Sequence, residues 1–98
     1  MKFNIPETVL SAVRERDVRP GNVYSAKGGK NTAFWVVVAV NEKNVTALGI
    51  NTQGEITSAT TYYRSVFEGD GRYREARPIL GFVEGIEDLT FDVQWGAA

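Results

Sequence analysis

Ala33-Phe34-Trp35-Val36-Val37-Val38-Ala39-Val40 is the stretch that decides the fold of this chain. Six of its eight residues are β-branched or aromatic, types that suit a pleated strand better than a helix. The run has no polar residue at alternate positions, so it does not read as a strand with one wet face. A strand of this kind is either buried on both faces or bent so that its two halves serve two packed layers, as in small barrels.

Working outward, β signals continue on both sides. Val23 to Ala26 reads as a short strand, followed by the loop Lys27-Gly28-Gly29-Lys30-Asn31. After the core strand, Asn41 to Asn44 makes a tight turn. Val45 to Ile50 and Glu55 to Thr61 then form a hairpin across Asn51-Thr52-Gln53-Gly54, with Gly54 free to take a positive φ. Ile79 to Val83 is a further strand. Leu89 to Trp95 alternates Leu89, Phe91, Val93 and Trp95 with Thr90, Asp92 and Gln94, so one side of it is buried. The residues Tyr62 to Phe67 leave open whether the chain continues as strand or bends into a helical turn before Glu68-Gly69-Asp70-Gly71 breaks it.

The N-terminal segment follows a different period. Ile5, Val9, Leu10 and Val13 recur at helical spacing, Pro6 suits a first turn, and Arg14 and Arg16 complement the C-terminal end of a dipole. This predicts a helix over residues 6–16, stopped by Arg19-Pro20-Gly21-Asn22. The expected class is therefore α+β, mainly β. A short N-terminal helix precedes a strongly curved antiparallel sheet or small barrel of five or six strands over about residues 22–95, all within a single domain of residues 1–98. The order of Gly21-Asn22-Val23-Tyr24, a Gly-containing loop, the long strand Trp35 to Val40 and the hairpin through Gln53-Gly54 resembles the opening of SH3-like barrels. That resemblance covers about half the chain, implies the barrel architecture, and carries no functional motif.

Composition narrows the chemistry. The 98 residues include no histidine and no cysteine, which removes the commonest neutral-pH base, the thiolate nucleophile and the usual zinc ligands. No catalytic residue, metal ligand or cofactor site is expected. With no disulfide, stability rests on packing, to which two Trp, five Phe and four Tyr contribute much of the area. Glu7, Arg14, Glu15, Arg16 and Asp17 interrupt the only apolar stretch near the N-terminus, so neither a secretory h-region nor a membrane span is readable there, and the expectation is a cytoplasmic protein. The formal net charge of −1 gives no global attraction to nucleic acid or anionic lipid.

Three segments are candidates for function. Lys27 and Lys30 flank two glycines whose backbone could approach an anion, although the loop precedes a strand and lacks the spacing of a phosphate loop; a solvated hairpin loop is the competing reading. Tyr62, Tyr63, Arg64, Arg72, Tyr73 and Arg74 interleave aromatic and guanidinium groups in the way recognition surfaces do. Over residues 62–77 four arginines meet three carboxylates, which weakens phosphate attraction and favours a protein partner; a loop packed on the barrel is the alternative. The acidic set Glu84, Glu87, Asp88 and Asp92 has no calcium-loop spacing and reads as a solvated edge. Trp35 and Trp95 read as core.

The expected function is a small non-catalytic macromolecule-binding module. It would be a protein-interaction or regulatory accessory protein of the kind phages and mobile elements encode, presenting Tyr62, Tyr63, Arg64, Arg72, Tyr73, Arg74, Lys27 and Lys30 to a partner. Two other readings compete with it. One is nucleic-acid binding through the same residues, and the other is a histidine-free ribonuclease of the kind found among toxins built on SH3-like barrels. The oligomeric state stays open, a homodimer closing on an exposed edge strand among the alternatives.

Overall fold

The structure is a computed structural model and describes residues 2–6, 17–26, 31–84 and 90–96. Seven strands and one short helix make up these residues: β1 (Lys2–Asn4), β2 (Asn22–Ser25), β3 (Phe34–Val40), β4 (Asn44–Ile50), β5 (Ile56–Tyr63), α1 (Ser65–Glu68), β6 (Gly81–Val83) and β7 (Thr90–Trp95). They form one sheet in the order β1-β7-β6-β2-β3-β4-β5. Every pairing is antiparallel except that of β1 with β7, which is parallel.

The sheet curls into a half-barrel. A register shift between Val37 and Ala39 bends β3 against β4, and a second between Gly49 and Ile50 bends β4 against β5; such irregularities increase local twist. Curling brings the two ends of the strand order together at one point, where the Phe3 N–H donates to the Gly54 carbonyl at 2.9 Å. Gly54 has φ +83°, and a Cβ there would overlap the Phe3 carbonyl. The turn that carries it is fixed by Asn51, whose Oδ1 accepts the N–H groups of Gln53 and Glu55 at 3.0 and 2.9 Å. Asn41 does the same between β3 and β4, accepting from Lys43 and Asn44.

The apolar run of β3 is explained by two cores, one on each face of the sheet. Val23 and Val36 are register partners and pack with Phe3, Ile50, Val83 and Val93 on one face. Tyr24 and Val37, one residue further along each strand, pack with Val18, Val45, Ala47, Phe67 and Ile79 on the other. Because side chains alternate across a strand, Val36 and Val37 are both fully buried while pointing in opposite directions.

The expected class is overturned in three respects. Among the described residues the fold is mostly β, where an α+β chain, mainly β, with a short N-terminal helix was expected. It is a mixed seven-stranded half-barrel, where a strongly curved antiparallel sheet or SH3-like barrel of five or six strands was expected. The one helix among the described residues is α1, which follows β5. Ahead of the segment expected to be helical, the chain forms β1, whose burial alternates around Phe3. Local periodicity could not reveal β1, because its stability comes from partners at positions 90–92 and 54. Residues 7–16, most of the expected helix, lie outside the described residues.

Candidate partner-binding surface

The recognition segment begins where β5 leaves the sheet. The Arg64 N–H donates to the Lys43 carbonyl at 2.9 Å, the last rung beside β4, and the chain then turns into α1. Phe67 is the apolar anchor of this turn. It is fully buried, with its ring centroid 4.8 Å from Tyr24, 5.6 Å from Trp35 and 5.9 Å from Tyr62. Gly69 ends the helix with φ +73°, in close approach to the Arg74 carbonyl, so the loop that follows folds back on its own root.

Asp70 organises that loop. Its Oδ1 accepts the N–H groups of Arg72, Tyr73 and Arg74 at 2.8, 2.6 and 2.9 Å, while its own N–H donates to the Arg74 carbonyl at 3.1 Å. Three donors converging on one carboxylate favour its ionised form, and hold the Asp70 pKa down to about 2. Tyr73 stands on this cradle 82% exposed, with the Arg72 guanidinium 5.0 Å from its ring centroid. Ser65, Asp70, Tyr73 and Arg74 line an open cleft of about 360 Å³ beside it.

The residues singled out in the sequence divide into two groups. Tyr63, Arg72, Tyr73 and Arg74 are exposed. Arg64 and Tyr62 are committed inward. Arg64 donates from Nε and Nη2 to the two Glu68 carboxylate oxygens at 3.1 and 2.7 Å and from Nη1 to the Asn41 carbonyl at 3.2 Å. Tyr62 stacks on Trp35 with centroids 4.9 Å apart. Arg77 is likewise engaged, over the Trp35 ring at 4.9 Å and on the Ser25 carbonyl at 3.3 Å. Lys27 and Lys30 lie outside the described residues, as do Glu87 and Asp88 and the side chain of Trp95. Asp92 accepts from Asn4 Nδ2 at 2.8 Å and Glu84 is exposed. Among the described residues no group of His, Cys, Asp or Glu is arranged to hold a metal ion, and no helix is long and apolar enough to cross a membrane.

Sequence reasoning allowed for an exposed edge strand but did not place it on β5. This strand is the end of the sheet, and seven of its eight residues are exposed. The Arg64–Lys43 rung fixes the alternation of the β4–β5 ladder, so that positions 45/62, 47/60 and 49/58 exchange hydrogen bonds. The backbone groups of Ala59, Thr61 and Tyr63 therefore face away from β4. Among the described residues no hydrogen bond crosses that edge. The signal lay in Thr57-Ser58-Ala59-Thr60-Thr61, a β-prone stretch with neither charge nor apolar alternation, as expected for a strand wet on both faces.

The chain matches no family model, no curated protein and no solved structure.

Proposed function

We infer that this protein is a non-catalytic binding module that engages a protein partner through the loop 69–74, with Tyr73 as its anchor and Arg72 and Arg74 beside it. One observation carries the reading: a large aromatic side chain is held 82% exposed on a loop whose backbone is tied at three points to Asp70. A disordered loop would lose conformational entropy on docking, whereas a preorganised one loses little. Tyrosine beside arginine is also the composition enriched at interface hot spots.

A protein partner is favoured over nucleic acid by the state of the cations. Arg64 is neutralised by Glu68, Arg77 is turned onto Trp35, and the Asp70 carboxylate, held by the main chain of Arg72 and Arg74, brings a negative charge to the same loop. A phosphate backbone is bound through several uncompensated charges at once.

The test is a pull-down from cell lysate, with and without nuclease, using the wild type and an Arg72/Tyr73/Arg74 triple alanine variant. A discrete protein retained after nuclease and lost in the variant supports the reading. Recovery of nucleic acid alone, with binding that falls steeply with salt, replaces it with nucleic-acid recognition.

A further inference from the structure

The open edge of β5 carries an inference independent of the Tyr73 loop. We propose that β5 pairs antiparallel with β5 of a second copy of this chain, about a two-fold axis at Thr61, to give a continuous sheet through a homodimer.

The backbone supplies the driving groups. Ala59, Thr61 and Tyr63 each direct an N–H and a C=O outward, spaced as one side of an antiparallel ladder requires. A two-fold axis at Thr61 sets Ala59 opposite Tyr63 of the second copy and Thr61 opposite itself. The three positions then complete a self-consistent set of rungs. The side chains suit this register: the large ring of Tyr63, 72% exposed in the single chain, faces the small side chain of Ala59, and Thr61 makes a threonine–threonine cross-strand pair.

The self-complementary register of Ala59 and Tyr63 selects the second copy as the occupant, and charge does not oppose it. Exposed edges are ordinarily protected by lysine, glutamate, proline or an outward kink. Ile56 to Tyr63 contains none of those residues, and its one register irregularity lies before Ser58, outside the proposed rungs. Two identical strands brought together here place no like charges opposite one another. The other end of the sheet offers no equivalent edge, because β1 is three residues long and is met by the β4–β5 turn at Gly54.

The experiment is sedimentation of the purified full chain over a wide concentration range. Wild type is expected to show a reversible monomer–dimer equilibrium. Thr61→Lys places two positive charges opposite each other on the axis. Thr61→Pro removes an outward N–H while leaving the β4 rungs intact. Each should raise the concentration needed for dimer by at least about tenfold, a change of about 1.4 kcal/mol, while a far-ultraviolet spectrum and melting curve like those of wild type show that the fold is kept. Gln94→Lys, the same charge change at an exposed position of β7, five strands from β5 in the sheet order, should leave the dimer in place. A wild-type chain that stays monomeric throughout overturns the proposal. So does a dimer that Thr61→Lys and Gln94→Lys weaken equally. The loop 69–74 is untouched in every variant, so failure here leaves the Tyr73 reading standing, and the reverse also holds.

Discussion

Arg64 and Glu68 face each other one helical turn apart, with the guanidinium gripping both carboxylate oxygens, at 3.1 and 2.7 Å. Glu68 Oε2 also accepts the Val18 N–H at 2.9 Å, so a single carboxylate ties α1 to a residue fifty positions earlier in the chain. The Arg64 pKa is raised first by its own side-chain hydrogen bonding to Glu68. Glu68→Ala should cost about 2 kcal/mol in chemical denaturation, because the N–H of Val18, a residue 4% exposed, loses its acceptor. Glu68→Gln keeps an oxygen for Val18 and should lose less. Equal losses in the two variants would mean that the charge, and not the Val18 bond, supplies the stability.

Val36→Ala and Val37→Ala should each cost about 2 kcal/mol, since each valine is fully buried in its own core. A strand with one wet face would show a loss at one position and almost none at its neighbour. Urea unfolding of the two single variants distinguishes these cases. A near-zero value at either position contradicts the two-core arrangement.

What the sequence made legible follows from where each element gets its stability. β3 could be read because eight neighbouring residues carry the signal, and β4 and β7 because their patterns are local. Val93 is buried between exposed Asp92 and Gln94, as the alternation requires. β1 was not legible, since three residues carry no period and its pairing lies at the far end of the chain. Arg64 looked like a recognition residue because its partner is set by a four-residue helix that the local pattern left undecided. Tyr73 and its flanking arginines were legible as exposed, but their dependence on Asp70 was not. An aspartate two to four residues before three N–H groups cradles them only when the intervening backbone turns, and that turn passes through Gly71 at φ +78° while Gly69 lies against the Arg74 carbonyl.

Gly54→Ala should destabilise the protein by more than about 1 kcal/mol. The position has φ +83°, and the new methyl group would overlap the Phe3 carbonyl, at the point where β1 meets the β4–β5 turn. Hydrogen exchange locates the effect. Faster exchange at the Phe3 amide, with the β3–β4 ladder preserved, is expected. A uniform acceleration across the sheet would instead make this contact part of the global unfolding unit.

Acid should release the Tyr73 loop at an unusually low pH. The N–H groups of Arg74, Arg72 and Tyr73 lower the Asp70 pKa from 3.8 to about 2. The folded value lies below the unfolded one, so the ionised carboxylate binds these donors more strongly than the protonated acid does. The contribution to loop order is complete above about pH 4 and is lost as pH falls through about 2. The amide resonances of residues 72–74 should therefore follow a common titration with its midpoint near 2. In Asp70→Asn, which keeps an acceptor oxygen but cannot titrate, this transition should vanish. A midpoint at the ordinary aspartate value would mean that the three hydrogen bonds do not hold the carboxylate in solution. The preorganisation on which Tyr73 recognition depends would then be lost as an argument.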